Sequence, residues 1–229
     1  MGANDVRGWL AGTWAVFRKD IQLEMRDRFG ISVLLMFVVS TLLLTMFAFG
    51  QERIAVHVQA ALLWIVIVFA ASIGLGRAFV SEVERGTVLL LQLHTRASTV
   101  YAGKLLFNFV LVLAANFLAG VAFVALLNIE VVHPGLFATT LLLGSLGLSG
   151  ASTLLAAIIA RTANRGPLLP VLVFPLLIPL LLSVVGATKN SLAGGGGWNE
   201  SGEHLITLMS FAGVVISASV LLFDYVWKD

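Results

Sequence analysis

Residues 31–76 read ISVLLMFVVSTLLLTMFAFGQERIAVHVQAALLWIVIVFAASIGLG, two apolar runs (31–49 and 58–76) separated by a short polar turn carrying Glu52, Arg53 and His57. Each run is close to the roughly 20 residues that a helix, rising about 1.5 Å per residue, needs to cross about 30 Å of hydrocarbon. Four more such runs follow, at 105–127, 136–160, 168–187 and 205–223. Lipid cannot satisfy exposed backbone N–H and C=O groups, so spanning segments are helices or closed barrels, and these unbroken runs lack the alternation of barrel strands. The expectation is an all-α membrane protein, one domain over 1–229 with six transmembrane helices. Composition agrees: 11% of the residues are charged, against about 25% in soluble domains.

The cations orient these spans. Arg7, Arg18, Lys19, Arg26 and Arg28 precede the first run; Arg77, Arg85, Arg96 and Lys104 lie between the second and third; Arg161 and Arg165 lie between the fourth and fifth; Lys228 ends the chain. The opposite side holds Arg53 and Lys189. The excess of Lys and Arg on alternate loops puts both termini and the loops after the second and fourth spans in the cytoplasm. A net charge of +2 then needs no nucleic-acid partner. No cleavage pattern of a signal peptide is expected, because the first apolar run follows a charged segment. With no cysteine, disulfides, thiolate metal sites and cysteine nucleophiles are excluded.

Before the first span, Leu10, Trp14, Phe17, Ile21, Met25 and Phe29 recur every three or four residues and line one helical face. Arg18, Asp20, Glu24 and Arg26 fall on the rest of the surface, so 9–29 reads as an amphipathic helix in the membrane interface. Such a helix could be a simple anchor or could also touch a cytosolic partner.

The longest cytoplasmic loop, GRAFVSEVERGTVLLLQLHTRASTVYAGK (76–104), has a middle too apolar for a solvated linker. Between Thr87 and Leu93 it is largely aliphatic and uncharged, with Glu82, Glu84 and Arg85 before it and His94 and Arg96 after it. Such a segment wants a protein pocket or the bilayer surface. Gly86 can end one helix, and Ser98 or Thr99 can cap the next through a hydroxyl that accepts a first-turn N–H.

Within the spans, Asn108 and Asn116 share a face of the third helix and read as interhelical hydrogen-bonding groups. In the fourth, Gly147 and Ala151, Ser145 and Ser149, and Ser149 and Thr153 stand four apart, a spacing of small residues that lets backbones approach. The fifth carries Pro167, Pro170, Pro175 and Pro179, which predict a kinked or broken helix. KNSLAGGGGWNESGEHL then reads as a flexible external loop. No phosphate-binding G-x-x-x-x-G-K-[ST], no H-E-x-x-H and no G-x-S-x-G occurs, so no catalytic residue, metal site or ATP site is expected in this chain. His57, His133 and His204 fall on the external side, where an imidazole could meet heme iron.

Four stretches, RKDIQLEMR (18–26), FVSEVERGTVLLLQL (79–93), YAGKLLFNF (101–109) and GPLLPVLVFPLLIP (166–179), resemble the heme exporter protein B (CcmB) family, the membrane subunit of the ABC system of cytochrome c maturation. The resemblance spans about residues 15–227 and implies an exporter-type ABC permease fold in the bacterial inner membrane. It implies that Glu82, Glu84, Arg85, Gly86 and Thr87 open a coupling helix. Its Leu89, Leu90, Leu91 and Leu93 would dock on a separate ATPase subunit (CcmA-like), in a coupling region ending at Gly103 and Lys104. The implied partners are a second copy of the chain, a heme-handling subunit (CcmC-like) and a heme chaperone (CcmE-like), with ATP bound on the ATPase and heme as possible cargo. Family members commonly carry proline after the aliphatic run; here His94, Thr95 and Arg96 follow. The acidic and aliphatic pattern also resembles exporters of lipid, polysaccharide or drug, and a non-transporting membrane scaffold of a maturation complex is the alternative of another class.

Overall fold

The computed structural model describes residues 3–27, 29–50, 54–75, 95–160, 168–193 and 196–228. Among them are seven helices and no strand: α1 (Ala3–Asp27), α2 (Phe29–Phe49), α3 (Val56–Leu75), α4 (Ala97–Leu126), α5 (Pro134–Ala160), α6 (Leu168–Leu192) and α7 (Gly197–Lys228). Five stretches, Ile31–Phe49, Ala97–Leu126, Pro134–Ala156, Phe174–Leu192 and Gly197–Phe223, are long and apolar enough to cross a membrane, and Val56–Ser72 is a shorter apolar helix. The outward apolar side chains of α2 and α7, such as Met36, Leu44, Phe47, Ile206, Met209 and Leu221, are exposed. A large exposed apolar surface marks a membrane or partner contact, and here it fits lipid.

The small residues of α5 place it at the centre, against α4, α6 and α7 and also α3. A Cβ on Gly144 would meet the Trp64 ring, one on Gly147 would meet Leu180 and Phe211, and one on Gly150 would meet Ile216. Each missing side chain is the space a neighbour's side chain fills. Trp64 is buried through this contact, and its indole Nε1 donates to Thr188 Oγ1 at 2.8 Å, joining α3 to α6. A buried indole N–H without an acceptor would be costly.

Several boundaries differ from the sequence expectation. α4 begins one turn or more before the apolar run, at Ala97, with Arg96 as its N-cap. Neither Ser98 nor Thr99 caps it; the N–H of Thr99 donates to the Arg96 carbonyl at 3.0 Å. At 30 residues, α4 is about 45 Å long, more than the roughly 30 Å of hydrocarbon that a span must cross. α6 is one continuous helix across Pro175 and Pro179 rather than a broken one. It continues to Leu192 while α7 starts at Gly197, so most of the stretch expected as a flexible external loop is helical. Gly196 and Gly197 hold φ of +83° and +47°, a conformation glycine adopts without a steric penalty.

At the opposite end of α4, Asn128 takes φ +48°, and the Ile129 N–H donates back to the Val124 carbonyl at 3.1 Å. This closes the helix in the manner of a left-handed C-terminal cap, a role asparagine tolerates. The N–H of His133 then donates to the Ser191 carbonyl at 2.9 Å, fastening the α4–α5 connection to the end of α6.

Gly144→Val should overpack the α3–α5 contact and displace Trp64 from Thr188. The expected cost is about 1–3 kcal/mol, read as a lower melting temperature in detergent and a shifted tryptophan emission; an unchanged melting temperature would contradict this packing.

Candidate functional site

The densest polar chemistry in the described structure lies where α1 rests on the first turns of α4. Gly12 and Gly103 make the approach possible. A Cβ on Gly12 would stand 2.8 Å from Thr99 Cγ2, and one on Gly103 would stand 2.6 Å from Val16 Cβ and 2.9 Å from the Thr13 carbonyl oxygen. With the backbones this close, Thr13, Val16, Phe17 and Asp20 of α1 are buried, and so are Thr99, Val100 and Lys104 of α4.

One turn further along, the buried carboxylate of Asp20 meets the ammonium of Lys104. Nζ donates to Asp20 Oδ2 at 3.0 Å, with Asp20 at 7% exposure and Lys104 at 0%. Lys19 Nζ stands 3.4 Å from the other carboxylate oxygen. Burying two charges costs several kcal/mol each, which their attraction offsets only in good geometry; removing one partner is therefore far more damaging than replacing both. The pair also fixes register, because a slip of one residue along either helix would separate carboxylate from ammonium.

Two further contacts tie α1 down. Arg96 Nη1 donates to Asp5 Oδ1 at 2.9 Å, an exposed bridge of small energetic weight. At the other end, Glu24 Oε1 accepts the N–H of Ile31 at 3.0 Å, so a side chain of α1 satisfies one of the free first-turn donors of α2. Between Asp5 and Lys19 an open cleft of about 400 Å³ is walled by Trp9, Thr95, Arg96 and Thr99.

The expected interfacial residues thus divide. Trp14, 59% exposed, and Arg18 and Arg26 remain on the surface, while Phe17 turns inward with its ring 5.0 Å from that of Trp14. Asp20 leaves the exposed polar face for the α4 contact, and Glu24 is half-buried. The apolar stripe is split between solvent-side Leu10, Trp14 and Met25 and inward Phe17. Gly103 and Lys104 lie inside α4, facing α1. Glu82, Glu84, Arg85, Gly86, Thr87, Leu89, Leu90, Leu91 and Leu93 lie outside the described residues.

Farther along α4, Asn108 Nδ2 donates to Thr153 Oγ1 at 2.8 Å and Asn116 Nδ2 to Ser145 Oγ at 2.7 Å. Thr153 and Ser145 pass a proton bond on to the Ser149 and Leu141 carbonyls of their own helix. Amide, hydroxyl and carbonyl thereby form two relays joining α4 to α5. Pro170 stands in the first turn of α6, and Pro175 and Pro179 follow within it.

The three histidines expected on the external side, His57, His133 and His204, are not brought to one point. His57 is exposed near the start of α3. The imidazole of His133 packs where a Cβ on Gly197 would lie, and that of His204 where a Cβ on Gly186 would lie. Two of the three therefore serve helix contacts. Among the described residues, no group of three His, Asp or Glu side chains could hold a metal ion.

The profile of the family described as CcmB protein matches residues 11–223, which takes in α1 from its third turn, Asp20, Lys104, α2 to α6 and α7 as far as Phe223. The chain belongs to the CcmB family. Heme exporter protein B of Bradyrhizobium diazoefficiens is 29% identical over 182 residues, covering 79% of this chain and 82% of the relative. The protein of the same name from Rhodobacter capsulatus is 28% identical over 170 residues, 73% and 78% of the two chains. Membership makes the chain a multi-pass transmembrane component of heme transport rather than a classical enzyme, associated with other components of an ABC transporter.

Sequence reading missed the Asp20–Lys104 pair. Its trace was there: a lysine at the head of an apolar span, directly after Gly103, and an aspartate within the α1 pattern, eight residues after Gly12. Asp20→Asn should cost about 3 kcal/mol, and Asp20→Asn with Lys104→Met should recover most of that loss. Thermal denaturation in detergent reads both; equal losses in the single and double variants would contradict the buried pair.

Proposed function

We propose that this chain is the permease subunit of an ABC transporter of c-type cytochrome biogenesis, seated in the bacterial inner membrane with six spans and both termini cytoplasmic. ATP hydrolysis on a separate ATPase subunit drives heme export or the release of a heme-loaded chaperone at the outer face. The heme assignment is supported by the relatives' names and the family match. The orientation is supported by the cations, which fall on the loops that a cytoplasmic placement requires.

The observation that carries the mechanical part is the way the chain enters α4. Residues Arg96 to Lys104 are braced by α1 through Asp5, Gly12, Val16 and Asp20. They follow directly on the uncharged aliphatic segment Thr87–Leu93, which has the chemistry to fill an apolar groove on a partner. Force delivered to that segment reaches a helix start that is packed on one side and ion-paired, so it is transmitted rather than dissipated in a loose loop. Asp20, Lys104, Gly12 and Gly103 hold this entry; Leu89, Leu90, Leu91 and Leu93 are the docking side chains. Within the membrane, polar groups are spent on helix pairing, as at Asn108 and Asn116, which suits an apolar cargo or a mechanical stroke better than an ion path.

The test is reconstitution in vesicles with the ATPase and a heme-loaded chaperone. ATP turnover should rise when the loaded chaperone is present, and Leu90→Asp should lower ATPase copurification at least about tenfold, a loss of about 1.4 kcal/mol of docking energy. Unchanged copurification and unchanged cytochrome c yield with Leu90→Asp would instead make the chain a passive scaffold.

A further inference from the structure

α1 rests on α4 through contacts of a kind that interfacial anchors do not need. An anchor keeps its apolar face in lipid and its charges in water. Here α1 turns Val16, Phe17 and Asp20 into the protein and leaves Val6, Leu10, Trp14 and Met25 exposed. At Gly12 and Gly103 the side chains of Thr99 and Val16 pack directly onto the facing backbone, in space a Cβ would otherwise take, and the contact is bracketed by an exposed ion pair at Asp5–Arg96 and a buried one at Asp20–Lys104. Sliding α1 along α4 by one turn would drive Val16 or Thr99 into a neighbouring backbone position and strand a buried carboxylate, so no low-energy alternative register is available.

We infer that α1 and the first turns of α4 move as one rigid body during the ATP cycle, and that Asp20 and Lys104 are the positioning residues that lock them. This rests on the reading of the chain as an ATP-driven permease. The stroke received ahead of Thr95 turns α4 and carries α1 with it, dragging the exposed stripe of Val6, Leu10, Trp14 and Met25 through the interfacial layer. It also moves the start of α2, because Glu24 of α1 holds the Ile31 N–H. The ion pair therefore acts on coupling efficiency, not on ATP hydrolysis, since neither residue touches nucleotide or cargo.

The chain has no cysteine, so Gly12→Cys with Thr99→Cys creates a single possible disulfide, and replacing Thr99 removes the methyl that Cβ at position 12 would meet. The variants are studied in the full complex with its ATPase in vesicles. Three results are expected. Oxidation of the cysteine pair leaves heme delivery per ATP hydrolysed within about twofold of the reduced form, under about 0.4 kcal/mol. The neutral pair Asp20→Asn with Lys104→Met, which buries no charge and so is expected to fold, hydrolyses ATP at an unchanged rate but delivers heme at least about fivefold less per ATP, about 1 kcal/mol. Oxidising the two cysteines in that neutral chain restores delivery, and reductant removes it again.

Loss of delivery on oxidation alone would show that the helices must separate, and a neutral pair that couples normally would reduce the ion pair to packing; either overturns the inference, as does failure of the disulfide to restore the neutral chain. The rate of disulfide formation adds a measure independent of cargo: it should be the same in nucleotide-free and ATP-trapped complexes, and a change of about tenfold would overturn the rigid body. If the unmodified chain handles no heme while that rate stays constant, the functional reading fails and the rigid body stands.

Discussion

A charge removed from water inside a largely apolar protein must be met at close range, and the Asp20–Lys104 pair is where this chain meets that demand. Attraction between unit charges grows as the surroundings become less polar, but so does the penalty for a poor fit. The 3.0 Å contact is therefore a constraint on backbone position as much as a source of stability. It is satisfied because Gly12 and Gly103 let Thr99 and Val16 pack directly against the facing helix backbone. From that contact follow the angle at which α1 lies, the point at which the chain enters α4 and, through Glu24, the first turn of α2.

Deeper in the bundle the same requirement is met with neutral groups. Asn108 and Asn116 reach hydroxyls of α5, which in turn reach carbonyls of their own helix. Trp64 reaches Thr188 across the α3–α6 contact. The glycines of α5 admit the Trp64 ring, Leu180 and Phe211 at points where any side chain would hold the helices apart. A helix packed this way resists local bending, so displacement imposed at the α1–α4 end is passed on as movement of whole helices. At the far end, His133 and His204 fill spaces over Gly197 and Gly186, and their first role is to join α5, α6 and α7.

The apolar runs, the charge asymmetry and the family were legible in the sequence because each is a property summed over many residues. The pairing of Asn108 and Asn116 with α5 was legible in part, since an amide in a span needs a partner and Ser and Thr stood on the next helix. Asp20 was not, because periodicity separates polar from apolar faces and does not say which polar residue another helix will cover. The split of the α1 stripe has the same origin: Phe17 and Trp14 obey one spacing, yet Phe17 is buried and Trp14 exposed. Proline content suggested a kinked or broken α6, yet the helix runs on unbroken through Pro175 and Pro179. The glycine run between α6 and α7 suggested a longer loop than the structure has, since helices extend into it from both sides. The segment Glu82–Leu93, proposed as the coupling helix, lies outside the described residues, and its assignment stands on sequence chemistry.

The most direct measurement is the distance between spin labels at Arg18 of α1 and Val110 of α4, taken in the complete complex without nucleotide and with ATP trapped, alongside a second pair reporting from Arg96 to the ATPase subunit. The account expects the Arg18 to Val110 distribution to stay superimposable while the Arg96 to ATPase distance changes. A second, displaced population between Arg18 and Val110 appearing with ATP would contradict it.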